Sequence, residues 1–293
     1  MSELGKRVAV AAVGIPLVLG LAYVGGWYLA LPLAAFAAWG THEVGRFAEE
    51  RGVRPMDGIA ASAAAALVVL ASWHGTFIAF APAALGVVGL AAAAALLGSL
   101  WRRGVEGTPL AASAVTVLSV LYVGLGLAFV PLLSALPVTA RWSSTLSESG
   151  TGLAALTFPL AITWIADASA YFAGSAFGRT KLAPSVSPNK SWEGFWAALL
   201  GGAVAAAAWR FVVGALGLDV EAGGYWTFAL VGAAVAVTGV VGDLVESLLK
   251  REAGVKDSGT FFPGHGGVMD RIDSLLFTIP SSYLAMVVLG VSR

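Results

Sequence analysis

The sequence predicts an all-α integral membrane protein that crosses the bilayer about nine times, and three observations predict it. Hydrophobic residues make up 58% of the 293-residue chain and charged residues only 12%, about half the charged share of a soluble domain. Mean hydropathy is +0.84. The apolar residues come in long runs rich in Ala, Gly, Leu and Val, which suit spanning helices and not the short alternating segments of a barrel. This composition excludes a soluble enzyme and a disordered chain. With 17 basic against 17 acidic residues, it also excludes a nucleic-acid binder that works through net charge. Cysteine is absent, so disulfides, thiolate metal sites and cysteine nucleophiles are excluded. His42, His74 and His265 are too far apart in the chain to make a histidine-rich metal site by themselves.

A spanning helix needs about 20 apolar residues. Val8 to Thr41 carries no charge, and at ~1.5 Å per residue it would reach about 51 Å, too long for one ~30 Å hydrocarbon core. Gly25-Gly26 divides it into helices near 8–24 and 27–45. The next charge-free stretch, Gly58 to Trp101, turns at Trp73-His74-Gly75 and gives 58–73 and 76–98. Further helices are expected over 109–131, 152–178, 193–213, 225–246 and 274–291. The grouping expected is 1–75 for helices one to three, 76–150 for helices four and five, and 151–293 for a catalytic set of helices six to nine. Lys6-Arg7 before an apolar run resembles a signal peptide, but eight spans follow, so an uncleaved first helix is expected.

Lysine and arginine favour the cytoplasmic side of a membrane. Nine spans place Arg141, Arg210 and Arg293 on one side and the other 14 of the 17 basic residues opposite. Reading 109–140 as two short spans weakens the split to 10 against 7. The nine-span reading puts the N-terminus in the cytoplasm and the C-terminus outside.

Against this lipid-compatible background, Asp243 to Asp273 stands apart. Its 31 residues hold ten of the 34 charges, together with His265, and the topology makes it cytoplasmic, where nucleotides are. GDLVESLLKR continues the eighth helix out of the apolar region. Asp243, Glu246, Ser247 and Lys250 share one face of it, at i, i+3, i+4 and i+7. EAGVKDSGTFFPGHGG is a glycine-rich loop, and glycine lets backbone N–H groups approach an anion. VMDRIDSLLF begins the ninth helix, with Asp270 and Asp273 one turn apart. Taken singly, Glu246–Lys250 is an ordinary i,i+4 pair, Asp273 a complement to a helix N-terminus, and the glycines turn formers. Together, acids, bases and flexible glycine are what a magnesium–polyphosphate site requires.

Other polar residues have plainer readings. Asp167 lies inside the sixth helix, where a charge costs about 2.5–3.5 kcal/mol, so it is expected to face protein or a wet cavity. Tyr171, Gly174 and Gly178 follow on about the same face. Lys190, in the cytoplasmic loop before the seventh helix, precedes Ser191 and Glu193 at a helix start, a position suited to an anion. His42 and Glu43 are expected to be interfacial, and His74 has no assigned role. THEVGR at 41–46 has Arg46 where a zinc helix needs its second histidine. GLGLAF at 124–129 lacks the third glycine of a dinucleotide loop.

The run SLLKREAGVKDSGTFFPGHGGVMDRID, Ser247 to Asp273, resembles the signature of bacterial phosphatidate cytidylyltransferases (CDP-diacylglycerol synthases). The matching positions are Ser247, Lys250, Arg251, Lys256, Asp257, Gly259, Pro263, His265, Gly266, Gly267, Asp270, Arg271 and Asp273. SPNKSWEG (187–194) and DASAYFAGSAFG (167–178) also resemble the family, whereas the first 140 residues match only as hydrophobic helices. The CDP-alcohol phosphotransferase pattern is absent. The resemblance implies a membrane enzyme that joins CTP to phosphatidate, giving CDP-diacylglycerol and pyrophosphate, in the inner cell membrane and as a homodimer. It implies Asp243, Lys250 and Asp270 as catalytic residues. Asp243 and Asp270 are the expected ligands of Mg2+, with Asp167 and Asp273 as further candidates. Lys190, Ser247, Arg251, Lys256, His265, Gly266, Gly267 and Arg271 are expected to bind substrate. The rival reading is a transporter built around Asp167.

Overall fold

The computed structural model describes residues 3–102, 104–136, 147–218, 223–262 and 266–289. All nine apolar segments expected from the sequence are helical among them. They are α1 (Glu3–Val24), α2 (Gly26–Glu49), α3 (Asp57–His74), α4 (Phe77–Arg102), a stretch made of α5 (Pro109–Ser119), a π segment (Val120–Leu125) and α6 (Gly126–Ser134), then α7 (Glu148–Phe177), α8 (Trp192–Ala215), α9 (Tyr225–Ala253) and α11 (Leu275–Val288). Among the described residues six helical stretches are long and apolar enough to cross a membrane: α3, α4, 109–134, α7, α8 and α9. The protein is therefore a polytopic helical membrane protein. The other three fall short of that standard for visible reasons. In α2 the C-terminal half carries His42, Glu43, Arg46 and Glu49, α11 has only 14 residues, and in α1 the apolar part described is Gly14–Val24.

Two local features depart from the expectation. The loop before α8 folds as a small antiparallel hairpin of β1 (Lys181–Ala183) and β2 (Ser187–Ser191), so the fold is not purely helical. The charged segment does not run directly into its last helix either. Asp270 lies in the single turn α10 (Met269–Ile272), and Asp273 falls in the break before α11, where it accepts the Ser274 N–H at 2.6 Å. The 109–134 stretch is continuous, with a π segment in its middle. There Gly124 lies so close to α3 that an added Cβ would sit 2.6 Å from the Ala64 Cα, a close approach that only glycine permits.

The chain forms two compact units. The first comprises Met1–Ala135 with Leu249–Ile272, and the second Leu136–Leu248 with Asp273–Arg293. α9 contributes to both, changing from the second to the first after Leu248. In the first unit α2, α3 and the 109–134 stretch pack together around buried Leu67, Val68, Phe80 and Leu132. In the second, α7 packs on α8, and α8 meets α9 backbone to backbone. A Cβ on Gly202 would lie 2.7 Å from the Gly232 carbonyl. Small residues allow this approach where lipid gives no hydrophobic drive between helices. Phe158, Trp209 and Phe228 fill the space beside it, and the Trp209 indole donates to Thr157 Oγ1 at 3.0 Å. Large apolar side chains such as Ile78, Leu85 and Trp226 point outward, as a lipid-facing surface requires.

Candidate active site

The charged residues of interest fall into two clusters, one in each unit. In the first unit the signature loop is wound around carboxylates. Asp270 Oδ1 accepts the Lys250 ammonium at 2.7 Å. Its Oδ2 accepts the Ser258 N–H at 2.9 Å and the Gly267 N–H at 2.8 Å, and lies 2.9 Å from the Ser258 hydroxyl oxygen, whose single proton it shares with Glu43. Burial pushes the Asp270 carboxyl up, but the bond from Lys250 and those from the Gly267 and Ser258 backbone outweigh it and hold the group below the ordinary aspartate range.

Beneath the loop lies Glu43, on α2 and only 2% exposed. Its Oε1 accepts the Val268 N–H at 3.0 Å and the Trp39 indole N–H at 3.1 Å. Its Oε2 accepts the Met269 N–H at 2.8 Å and the Ser258 hydroxyl at 3.0 Å. Glu43, expected at the membrane boundary, is enclosed by protein groups. The glycines explain the fit. A Cβ on Gly267 would collide with the Ser258 hydroxyl and the Glu43 carboxylate, one on Gly259 would press on Glu43, and Gly266 holds φ +81°. Glycine does bring backbone N–H groups to an anion here, and the anions are the chain's own carboxylates. Phe261 anchors the loop on α2, its ring 5.2 Å from Trp39 and 5.8 Å from Phe36.

Arg251, Lys256 and Arg271 are exposed. His265 lies outside the described residues. Glu246, expected on a shared polar face with Lys250, is buried at 1% exposure.

In the second unit a cavity of about 570 Å³ is lined by Asp167, Tyr171 and Gly174 of α7, Lys181 and Lys190 of the hairpin, and Asp243 of α9. The Asp167 face expected from helical spacing thus lines a cavity through three of its four members. Gly178, the fourth, instead keeps contact with Ser191, whose hydroxyl caps α8 by accepting the Gly194 N–H at 3.2 Å. Lys190 pairs with Asp243 at 2.7 Å, and Ser247 donates to the other Asp243 oxygen at 3.3 Å.

Two carboxylates and the Asn189 amide on one cavity suit a hard divalent cation, and its two lysines suit an anion. Magnesium commonly takes one or two carboxylates and completes its octahedron with phosphate and water. Among the described residues no cluster of three or more His, Asp or Glu gathers, so phosphate and water would supply the remaining positions. Asp270 and Asp273, by contrast, are engaged by protein donors.

Sequence reasoning missed Glu43 and its part in shaping the loop. The available signal was its setting of small residues. Gly40 abuts Val123, and Gly45 abuts Asp57 and Pro55, which marks a helix face that other chain segments cover.

A profile of the cytidylyltransferase family matches residues 5–289. The phosphatidate cytidylyltransferase of Pseudomonas aeruginosa is 35% identical over 291 residues, 94% of each chain. That of Synechocystis sp. is 32% identical over 306 residues, 97% of each chain. That of Thermotoga maritima is 47% identical over 135 residues, which is 46% of this chain and 50% of the Thermotoga protein. The chain thus spans about half the length of the last relative and nearly all of the first two.

Proposed function

The chain belongs to the cytidylyltransferase family, and from that membership we propose that it joins CTP to phosphatidate, giving CDP-diacylglycerol and pyrophosphate. The observation that carries this reading is the cavity that holds Asp167 and Asp243 against Lys181 and Lys190. It offers carboxylates for a metal and ammonium groups for phosphates.

The reaction asks little proton chemistry of the protein. The attacking group is a phosphate monoester with a second pKa of about 6, already largely ionised at neutral pH. Its oxygen bonds to the α-phosphorus of CTP while the bond from that phosphorus to the bridging oxygen of the β-phosphate breaks. What must be supplied is neutralisation of two polyanions and their in-line alignment. Lys190 and Lys181 of the cavity are cations for this; Lys250, Arg251, Lys256, His265 and Arg271 of the signature segment are further candidates. Ser247, Gly266 and Gly267 complete the substrate contacts. In the cavity Asp243, with Asp167, would hold magnesium, which would spread phosphate charge; Asp270 and Asp273 of the signature segment are separate candidate ligands. A homodimer in the inner membrane, crossed nine times with the signature segment cytoplasmic, completes the reading.

Incorporation of radiolabelled CTP into a lipid extract by membranes that express the chain, dependent on added phosphatidate and Mg2+, tests the activity. No incorporation above control membranes rejects it. A cysteine at Thr260, an exposed position in a chain without cysteine, tests the sidedness. It should react with a membrane-impermeant reagent only after cells are opened. Ser258, two residues earlier, is buried and would report nothing. The transporter reading gains no support, since the sequence contains no second copy of the Asp167 helix or of the 243–273 segment.

A further inference from the structure

Glu43 lies far from the signature segment in sequence, yet all four donors to its carboxylate are fixed: two backbone N–H groups of that segment, the Ser258 hydroxyl and the Trp39 indole. Each oxygen takes two. Ser258 links it onward, because the same hydroxyl oxygen lies 2.9 Å from Asp270 Oδ2 and also accepts the Asp270 N–H at 3.3 Å. Asp270 in turn holds Lys250 at 2.7 Å. A chain of contacts therefore runs from a buried carboxylate on α2, through one hydroxyl, to the acid and base of the signature segment.

We infer that Glu43 is a positioning residue of this segment, setting through Ser258 the placement of Asp270 and Lys250; the inference rests on the cytidylyltransferase reading of the site. The chemistry demands a carboxylate at this position. Both oxygens receive a backbone N–H, so a glutamine in either orientation turns its amide N–H groups against a backbone donor. Aspartate keeps both acceptors and loses one methylene of reach. Partners that orient a ligating carboxylate act by holding its geometry, and their loss costs on the order of 10–100-fold in activity.

The test uses the full chain purified in detergent, with two readouts. The first is cytidylyl transfer, with kcat and KM measured separately for each substrate. The second is trypsin cleavage after Lys256, an exposed residue in the loop, which needs no activity. Glu43→Gln is expected to lower kcat about 10–100-fold, with the KM for phosphatidate nearly unchanged, and to speed cleavage after Lys256. Glu43→Asp is expected to recover part of both. Ser258→Ala leaves the backbone bonds to Glu43 in place, so it should lower kcat without speeding cleavage. A Glu43→Gln protein with wild-type kcat and wild-type cleavage overturns the inference. If Glu43→Gln cannot be purified, a Ser258→Ala protein with unchanged kcat overturns it. Should the wild-type chain transfer no cytidylyl group, the reading of the activity fails, and the cleavage rates alone decide whether Glu43 holds the loop.

Discussion

Two Lys–Asp pairs have the same length, 2.7 Å, and opposite characters. In Lys250–Asp270 the side chains are 15% and 8% exposed, and the second carboxylate oxygen faces Ser258 and Gly267 of the signature loop. In Lys190–Asp243 they are 23% and 36% exposed, and the carboxylate faces a cavity that it shares with a second acid, Asp167. The first pair is part of the architecture of the loop. The second is an ion pair open to exchange, where a phosphate can take the lysine and a cation the aspartate. Equal distance therefore does not mean equal role. What separates the two is how many other donors compete for each carboxylate and how much water or ligand reaches it.

Substitutions of the two aspartates test this contrast most strongly. Asp270→Asn is expected to reduce turnover by about 10³-fold or more, the scale of losing a preorganised charged group. It should also lower the melting temperature, because Lys250 is left beside a neutral amide that offers its own donors to Gly267 and Ser258. Asp243→Asn should lose turnover on the same scale with melting nearly unchanged, since solvent and Ser247 can still serve the site. Equal thermal destabilisation in both variants would erase the distinction drawn between the pairs.

The lysines give the next effect. Lys190→Ala is expected to raise the apparent CTP requirement by about tenfold with little effect on thermal melting, as removal of a mobile phosphate-binding charge should. Lys250→Ala should impair CTP use more than phosphatidate use and, unlike Lys190→Ala, should destabilise the loop. Tryptic cleavage after Lys256 distinguishes the two.

The smallest effect lies in acid. A carboxyl held below its unfolded value contributes stability that is complete above that value and is lost as pH falls through the folded one. For Asp270, whose carboxyl is held low, melting should be insensitive to this group at neutral pH. It should decline only below about pH 4, the ordinary aspartate range. Asp270→Asn should flatten that acid limb. An identical acid limb in the variant would show that other carboxylates set it.

Much of this was legible in the sequence because membrane helices announce themselves by composition. Each expected apolar segment is a helix, and the Asp167 face followed from spacing alone, since i, i+4 and i+7 hold on any α-helix. The signature segment was equally visible through its charge density. Glu43 was not, because its partners are backbone N–H groups more than 200 residues away, and a backbone donor leaves no mark in a residue pattern. The hairpin at Lys181–Ser191 was hidden for a related reason. Its two prolines, Pro184 and Pro188, suggest only a loop, while the pairing that makes it a hairpin depends on register. Nor did the sequence show that a glycine-rich loop can close on the protein's own acids, because glycine spacing does not reveal which anion it approaches.

The separation of Glu43 from its donors also has a meaning in time. Ser258 follows it by 215 residues and Met269 by 226. At about 5–20 residues per second of synthesis, the ribosome needs on the order of 10–40 s after making Glu43 to deliver the groups that satisfy it. Throughout that interval α2 carries a carboxylate whose final surroundings do not yet exist. A nascent chain that stalls or is truncated before the signature segment therefore lacks three of the four donors to Glu43 and keeps only the Trp39 indole.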